Sequence, residues 1–318
     1  MRALDYKLLQ RLQTWIDRGE QPWLCTIVKT VGSSPRPKGS MLAALATGEQ
    51  FGSVSGGCVE EDLLEKLSTH VFADELPELV EYGVSAEENE RLGLPCGGKL
   101  ILMVQRLDEG DLQWIKASLQ AIDQRYCVKR RVSLTTGKTQ LIRVDYYAPL
   151  EISNSHLEQC FGPRMRMVLV GAGQLAQTLT ELAMAMDYEV LVTDPRQSFL
   201  DQWAGPNVEL IQGMPDDVIR ERGCDRHTLI ITLTHDPRID DMALMEALST
   251  NAWYVGALGS QKTTENRLVR LKELGLSAEQ VSRLHAPVGL SIGSKTPIEI
   301  SVAIMAELIQ MRYRTTDS

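Results

Sequence analysis

Two cysteines, each beside a pair of glycines, are the residues of this sequence best suited to chemistry. Cys58 follows Gly56 and Gly57 in GSVSGGCVEE, and Cys96 precedes a second glycine pair in LGLPCGGKL. A thiolate is a nucleophile and a soft metal ligand, and paired glycines let the backbone approach a ligand closely. The repeated pattern favours one site lined by both cysteines. The alternative is that each is a small buried residue at a crowded turn.

The residues after Cys58 argue against a strongly activated nucleophile. A helix is predicted to begin near Val59, and its first turn contains Glu60, Glu61 and Asp62. The exposed amides of a helix N-terminus lower the pKa of a thiol, whereas neighbouring carboxylates oppose that effect and repel a bound phosphate. We therefore interpret Cys58 as a residue that holds or guards a ligand.

Composition narrows the class of protein. The formal net charge is −9, which argues against a nucleic-acid partner because proteins that bind nucleic acid present basic surfaces. No apolar run is long enough to span a bilayer, and the charged, amphipathic N-terminal stretch is not a secretory signal. The six cysteines form no C-x-x-C pair, and the spacing of His70 and His156 does not support a zinc site. These features predict a cytoplasmic protein with reduced thiols and no membrane contact.

The chain divides into two halves with different patterns, and the predicted fold class is α/β. Residues 1–150 are expected to form an N-terminal α+β domain that begins with an amphipathic helix over 4–17. Residues 151–164 are predicted to be a linker. Residues 165–318 are predicted to form a C-terminal Rossmann-like domain with a doubly wound parallel sheet.

Two basic stretches lie in the N-terminal half. The loop 32–40, GSSPRPKGS, carries Arg36 and Lys38, the only positive charges local to that loop. The triplet at 129–131, Lys-Arg-Arg, belongs to a strand of a predicted hairpin. We interpret this triplet as a solvated strand face.

The C-terminal half contains a dinucleotide-binding fingerprint. In RMVLVGAGQLAQTL an apolar strand leads to Gly171, Gly173 and Ala176 in the pattern G-x-G-x-x-A, and a helix follows. The glycines permit a tight turn beside a ligand, and the alanine lets helix and strand pack closely. Asp194 ends the next strand, YEVLVTD, where an acidic residue can bond a ribose hydroxyl. This context predicts a Rossmann-like fold.

The carboxyl ends of the strands in such a sheet face one crevice. The residues predicted to surround it are Gly171, Asp194, His235, Asp236, Gly259 and Ser260. One interpretation of the crevice is a site for a nucleotide-like ligand, and the other is a Rossmann scaffold whose cofactor site has been lost. His235 could act as a general base, or it could be a strand-end residue bonded to a loop.

Seven motifs follow one another along nearly the whole chain. They are TVGSSPRPKGSMLA, GSVSGGCVE, GLPCGGKL, VLVGAGQLAQTL, LTHDPRIDD, YVGALGSQKT and PVGLSIGSKTPIEISVAIMAEL. In this combination the chain resembles the XdhC/CoxI family of molybdenum cofactor chaperones. The resemblance implies a protein that binds molybdopterin or its cytosine dinucleotide form and supports sulfuration of the cofactor together with a cysteine desulfurase. It also implies insertion of the cofactor into the large subunit of a molybdenum hydroxylase, such as xanthine dehydrogenase or aldehyde oxidoreductase.

The resemblance further implies roles for individual residues. Contact with the molybdenum, its sulfido ligand or the dithiolene would come from Cys58 and Cys96. The backbone cradle would consist of Ser55, Gly56, Gly57, Gly97 and Gly98. Contacts to the pterin or a phosphate would come from Ser33, Ser34, Arg36 and Lys38. The nucleotide portion of the cofactor, or a separate nucleotide, would be held by Gly171, Gly173, Asp194 and His235.

Two other functions are compatible with parts of the pattern. A NAD(P)-dependent oxidoreductase with His235 as acid–base group would use the Rossmann-like half but gives SGGC and CGG no role. A docking scaffold would bind a partner protein without carrying cofactor. The chaperone interpretation needs no turnover reaction and accounts for both halves. Apolar helices in both halves favour a homodimer.

Overall fold

The computed structural model describes residues 3–32, 36–69, 71–72, 76–92 and 98–314. The predicted residues outside these ranges are Ser33, Ser34, His70, Cys96 and Gly97, and Cys58 is described as backbone only. The chain forms two compact units, Met1–Pro163 and Arg164–Ser318.

The N-terminal unit is an α+β domain, as predicted, and the structure shows that it contains two antiparallel sheets. Its strands are β1 (Trp23–Val31), β2 (Met41–Ala44), β3 (Gln50–Gly52), β4 (Glu78–Tyr82), β5 (Lys99–Arg106), β6 (Cys127–Ser133), β7 (Thr139–Val144), β8 (Glu151–Ile152) and β9 (His156–Phe161). Its helices are α1 (Ala3–Asp17), α2 (Cys58–Ser68), α3 (Ala86–Arg91) and α4 (Leu112–Asp123). One sheet has the order β3-β2-β1-β5-β4, and the other has the order β7-β6-β9-β8.

Helices cover both faces of the five-stranded sheet, because its strands alternate apolar residues between two cores. Leu24 of β1 packs in the cluster that contains the apolar faces of α1 and α4. Its neighbour Cys25 packs in the cluster on the other face, together with Val59, Leu63 and Leu67 of α2. The amphipathic pattern of α1 is thus explained by burial of one of its faces.

The prediction of a linker at 151–164 is wrong, because most of this segment belongs to the four-stranded sheet. β9 pairs with β6 and β8 pairs with β9, both antiparallel. Leu157 and Phe161 of β9 are buried, while His156 and Glu158 are half-buried. His156 and Glu158 therefore lie on the outer side of a strand, and the first unit extends to Pro163.

The basic triplet at 129–131 is likewise not a solvated face as a whole. Lys129 and Arg131 point to one side of β6 and both bond to Glu158, at 2.7 and 2.6 Å. Arg130 points to the other side and is completely buried. Successive side chains of a strand point to opposite faces of the sheet, so three consecutive charged residues cannot all face solvent on one side.

The C-terminal unit is a Rossmann-like domain, which confirms the predicted fold. Its strands are β10 (Arg166–Val170), β11 (Glu189–Asp194), β12 (Glu209–Gln212), β13 (Thr228–Thr232), β14 (Tyr254–Ala257) and β15 (Leu284–His285), in the parallel order β12-β11-β10-β13-β14-β15. Its helices are α5 (Gln174–Ala185), α6 (Gln197–Asp201), α7 (Pro215–Arg222), α8 (Pro237–Leu248), α9 (Gln261–Glu273), α10 (Ala278–Ser282) and α11 (Pro297–Arg314). Residues of α5 and α11 share one core beside the sheet, and residues of α8 and α9 share another. None of the helices in the described ranges combines the length and the apolar character needed to cross a bilayer.

Candidate functional site

The loops that carry the predicted site residues start from one end of the five-stranded sheet. β1 and β4 end where β5 begins, as the pairs Val31–Lys99 and Tyr82–Leu100 establish. β3 also ends on this side, because it runs antiparallel to β2, which begins there. The described residues of these loops include Arg36, Ser55, Gly56, Gly57 and Gly98, and one loop leads directly into Cys58. In the sequence, Cys96 lies in the segment between α3 and β5.

Glycines allow three of these loops to touch through their backbones. A Cβ atom added to Gly32 would lie 3.5 Å from the Cα atom of Gly98. A Cβ atom added to Gly83 would lie 2.2 Å from the carbonyl oxygen of Gly98 and 2.9 Å from Oδ1 of Asn89. Gly98 therefore packs against other loops of the protein. Among the described residues, the backbone of Gly98 contacts the loops that contain Gly32 and Gly83. The sequence predicts instead that Gly98 contacts a bound ligand.

Replacing Gly83 by alanine is expected to destabilise the protein by at least about 2 kcal/mol. Gly83 has a φ of +87°, which disfavours any side chain, and its new methyl group would collide with the Gly98 backbone. Gly48→Ala is the matched control, because Gly48 has a φ of +94° but no atom within 4 Å of its added Cβ. Thermal unfolding should show a loss of about 1 kcal/mol in the control. Equal losses in the two variants would contradict the tight packing at Gly98.

Asp62 connects the start of α2 to the end of α3. Its carboxylate lies 2.7 Å from Nζ of Lys66 and 3.0 Å from Nη2 of Arg91. Burial alone would raise the pKa of Asp62, but the hydrogen bond and charge of Lys66, together with hydrogen bonds from Arg91 and Tyr82, outweigh burial and lower it. In the sequence, Cys58 lies four residues before Asp62, and Cys96 lies five residues after Arg91. The contact between Asp62 and Arg91 thus holds the start of α2 beside the end of α3.

Glu60 occupies the backbone amides that precede Cys58. Its carboxylate accepts hydrogen bonds from the amides of Val54, Ser55, Gly56 and Gly57 at 2.7–3.0 Å. The hydroxyl of Ser53 donates at 2.8 Å, and the hydroxyl of Ser55 donates to the second oxygen. Burial of this side chain, which is 7% exposed, would raise its pKa. The bonds from the Ser55 hydroxyl and from the amides of Gly56, Ser55 and Gly57 outweigh burial and lower the pKa of Glu60 to about 2.

This role of Glu60 was missed by the sequence reasoning. Ser55, Gly56 and Gly57 were predicted to cradle a cofactor, yet their amides already hold an anion that belongs to the protein. The available signal was a glutamate three residues after Gly57, the residue before α2, which is the spacing of a capping box. A ligand could use these amides only by displacing the carboxylate.

Arg36 and Lys38 provide positive charge at the same end of the sheet. Arg36 is half-buried in the loop after β1, and Lys38 is exposed two residues later. A guanidinium can bind a carboxylate or phosphate through two parallel hydrogen bonds. Contact of Arg36 with an anionic ligand remains a prediction.

The Rossmann-like domain brings Gly171, Asp194 and His235 to one edge of its sheet, where β10, β11 and β13 end side by side. Gly171 has a φ of +110°, and a Cβ atom there would lie 3.1 Å from the amide nitrogen of Thr234. A Cβ atom on Gly173 would meet nothing within 4 Å. The first glycine therefore serves packing against the end of β13, while the turn at the second one is open.

The carboxylate of Asp194 is hydrogen-bonded within the protein and does not face the crevice as a free acceptor. Its buried carboxylate accepts hydrogen bonds from the Ala172 amide at 2.9 Å and the Arg196 amide at 3.0 Å. The Arg196 guanidinium adds two bonds of 2.8 Å. Burial alone would raise the pKa of Asp194, but these bonds lower it. Because a carboxylate has about four acceptor positions, none remains for a ribose hydroxyl in this arrangement.

His235 lies at the rim of the same crevice, exposed and with a left-handed φ of 63°. The preceding Thr234 is fixed by a 2.7 Å bond from its hydroxyl to Asp240, and the following Asp236 caps α8 through the Arg238 amide at 3.0 Å. In the part of the chain that the structure describes, no group is hydrogen-bonded to the His235 ring. Its geometry is that of a strand-end residue without a partner to orient it as an acid or base.

A metal site built from side chains would need several ligands in one place. Over the described ranges, no group of three or more histidine, cysteine, aspartate and glutamate side chains is arranged to hold a metal ion. The side chains of Cys58 and Cys96 lie outside that description. Their assignment to a molybdenum or sulfido contact remains a prediction.

Comparison with known proteins adds independent support for this architecture. Residues 167–308 match the model of the XdhC Rossmann domain, and residues 15–83 match the model of the XdhC and CoxI family. Together the two matches cover more than half of the 318 residues. They correspond to the C-terminal unit and to part of the N-terminal unit.

Full-length relatives extend these matches. The chain is 28% identical to a Bacillus subtilis protein named as a probable xanthine dehydrogenase subunit, over 95% of this chain and 97% of that protein. It is 26% identical to the molybdenum cofactor insertion chaperone PaoD of Escherichia coli, over 92% of this chain and 84% of that protein. A crystal structure of a Bacillus halodurans protein described as a xanthine dehydrogenase matches with a TM-score of 0.75 and 26% identity, over 96% of both chains. The chain therefore belongs to the XdhC/CoxI family, as its motifs predicted.

Proposed function

We propose that this protein is a molybdenum cofactor insertion chaperone. It binds the mature cofactor at the cysteine end of its N-terminal domain, supports sulfuration of the cofactor and delivers it to a molybdenum hydroxylase. The observation that carries the proposal is that the end of β3, which precedes Cys58, and the start of β5, which follows Cys96 in the sequence, lie at one end of the five-stranded sheet. The name of the Escherichia coli relative, an insertion chaperone for this cofactor, supports the same role.

The residues at the cysteine end of the N-terminal domain suit a carrier that binds the molybdenum cofactor and later releases it. Cysteine sulfur is a soft ligand that fits molybdenum and its sulfur groups, and Arg36 can bind an anionic part of the cofactor. The amides of Ser55, Gly56 and Gly57 are already bonded to Glu60. In our proposal the cargo is therefore held by the two thiols and by Arg36, without those amides.

The proposed partners follow from this role. A cysteine desulfurase supplies the sulfur, and the large subunit of a molybdenum hydroxylase receives the cofactor. The name of the Bacillus subtilis relative, which refers to xanthine dehydrogenase, supports a hydroxylase of that type. We propose a homodimer as the resting form, which light scattering during gel filtration would measure. Mass analysis of released pterin would distinguish molybdopterin from its cytosine dinucleotide form.

The NAD(P)-dependent oxidoreductase receives less support from the Rossmann-like domain. Asp194 has no acceptor position left for a ribose, and no described group orients the His235 ring. A nucleotide in this crevice would instead be held at the open turn around Gly173. Calorimetric titration with NAD and NADP tests this alternative, which requires tight binding of one of them.

Loss of either cysteine is expected to weaken retention of the cofactor at least about tenfold, as removal of a metal-site residue commonly does. The purified full chain is loaded with molybdenum cofactor, separated by gel filtration and assayed for pterin and molybdenum per protein. Cys58→Ala and Cys96→Ala are compared with Cys224→Ala, a half-buried thiol of the C-terminal unit. The control should retain cofactor like the wild type, because Cys224 lies outside the proposed site.

The same variants test delivery. Activation of a cofactor-free hydroxylase should fall in proportion to the cofactor retained by each variant. Sulfuration is followed by adding a cysteine desulfurase with cysteine and measuring hydroxylase activity, which depends on the sulfurated cofactor. Wild-type retention in both cysteine variants would overturn the assignment of the site.

A further inference from the structure

The N-terminal domain has a second concave region, at the end of the five-stranded sheet opposite the cysteine loops. It is a cavity of about 1070 Å³ between the end of β5, the start of α4 and the β6–β7 hairpin. Its wall includes Gln105, Trp114 and Thr139. The length of β5 separates the cavity from the cysteine end by about 20 Å. Pockets for small molecules reach about this size.

A buried guanidinium without a carboxylate partner lies directly behind the cavity wall. Arg130 is 0% exposed, its Cζ atom lies 4.1 Å from the centre of the Trp114 ring, and its Nη2 donates to Oε1 of Gln105 at 2.5 Å. In the described ranges no carboxylate forms an ion pair with Arg130, and its Nε and Nη1 have no acceptor. Burial lowers the pKa of Arg130 to about 10, although the charge of Asp111 opposes this. An uncompensated buried charge is strongly destabilising, so a second group is expected to complete the site.

Other polar atoms near Arg130 are also buried without partners. Oγ1 of Thr139 is in the cavity wall, on the strand beside β6, and has no hydrogen bond. Oε1 of Gln159, the cross-strand neighbour of Arg130, has no donor. If Oε1 of Gln159 accepted a hydrogen bond from Nε or from Nη1 of Arg130, the other of these two nitrogens would still lack an acceptor. The protein alone therefore does not satisfy this cluster.

The charge of the cavity wall limits the kind of ligand. Asp108 and Asp111 line the cavity, but both are engaged at the start of α4. Asp108 accepts from the Gly110 amide at 2.7 Å, and Asp111 accepts from Nε1 of Trp114 at 2.7 Å and from the Asp108 amide at 3.1 Å. Arg106 and Lys138 also line the cavity, so the formal charges of its wall balance. A wall without net positive charge is better matched to a ligand with a single anionic group near Arg130 than to a polyanion.

We propose that this cavity binds a small organic molecule through one oxyanion group, a carboxylate or a phosphate. The oxygens of that group accept from Nε and Nη1 of Arg130 and from the hydroxyl of Thr139, and Gln105 turns aside to admit them. Guanidinium is the side chain that best matches a planar, two-oxygen acceptor. The site is separate from the cofactor site, so it does not depend on the chaperone role.

Anion-dependent stabilisation tests the proposal on the full chain. Thermal unfolding is measured in sodium acetate, in sodium phosphate and in sodium chloride of equal ionic strength. The wild type should unfold at a higher temperature in at least one oxyanion than in chloride, because a ligand that binds the folded state stabilises it. The more effective anion identifies the oxyanion group as carboxylate or phosphate. Absence of any oxyanion-specific shift would overturn the proposal.

Matched arginine variants locate the effect. Arg130→Met should abolish the oxyanion-specific shift, whereas Arg131→Met should keep it. Arg131 is the adjacent residue on the other face of β6, is bonded to Glu158 and is not one of the residues that line the cavity. A full shift in Arg130→Met would contradict the proposed site.

Thr139→Val keeps the test decisive if Arg130→Met does not fold. Valine has nearly the same shape as threonine, and the lost hydroxyl has no partner in the protein. Without ligand the variant should be at least as stable as the wild type, yet its oxyanion-specific shift should fall by at least half. An unchanged shift would remove Thr139 from the site and overturn the proposal. Cofactor retention at the cysteine end should be the same in Thr139→Val and in the wild type, so failure here is distinct from failure of the chaperone assignment.

Discussion

Replacing Arg267 by methionine is expected to lower the free energy of unfolding by about 3–5 kcal/mol. The Arg267 side chain is 3% exposed, and its Nη2 lies 3.1 Å from Oδ2 of the fully buried Asp240. Its Nη1 also donates to the carbonyl oxygen of Leu258 at 3.0 Å. Methionine replaces most of the side-chain volume but leaves the Asp240 carboxylate without its counter-charge. Burial already raises the pKa of Asp240 and makes its ionised form costly. Urea unfolding followed by circular dichroism measures the loss.

Two further variants test whether the buried charge is the cause. The double variant Arg267→Met with Asp240→Asn removes both charges while an amide oxygen can still accept from Thr234, so it should recover part of the loss. Arg220→Met should cost less than about 1 kcal/mol, because Arg220 is exposed although it bonds to Asp217 and Glu246. Similar losses in Arg267→Met and Arg220→Met would contradict a special role for the buried pair.

The C-terminal domain could be predicted from sequence because its signals are local. The strand before Gly171 is a continuous apolar run, the turn has its glycines at the required spacing and a helical pattern follows at once. Further apolar strands alternate with helical patterns along this half, and a parallel sheet with helices on both faces follows from that alternation. The N-terminal strand β9 was harder to predict because its polar residues alternate with buried ones over only six positions.

The polar contacts could not be predicted, because each depends on where a side chain points in three dimensions. Asp194 stands at the position of a ribose-binding acid, but Arg196 two residues later folds back onto it. Arg130 is charged like its two neighbours, which favours a solvated face, but alternation along β6 places its side chain on the buried side. The shared site of Cys58 and Cys96 remains a prediction. Its nearest structural support, the contact between Asp62 and Arg91, joins two helices that are separate in the sequence.

Replacing Glu60 by glutamine is expected to destabilise the protein by about 3 kcal/mol at neutral pH. The Glu60 carboxylate accepts four backbone amides and two hydroxyls, and glutamine offers one oxygen and an NH2 group that would oppose these donors. Hydrogen bonds to a charged acceptor are stronger than those to a neutral one. Urea unfolding at pH 7 measures the difference. Glu61→Gln is the control, since Glu61 is an exposed neighbour in the same turn and should change stability by less than about 0.5 kcal/mol.

The pH dependence of the same variant identifies the charge as the source of the stability. The pKa of Glu60 is about 2 in the folded protein against an ordinary value of 4.5, so the unfolded chain binds a proton at higher pH than the folded protein. The stabilisation is therefore fully present above about pH 4.5 and is lost as the pH falls towards 2. Wild type and Glu60→Gln should differ most at neutral pH and converge between about pH 4 and 2. A difference that stays constant over this range would mean that Glu60 acts through shape alone. The glycine loop before Cys58 would then be held by packing instead of by an internal anion.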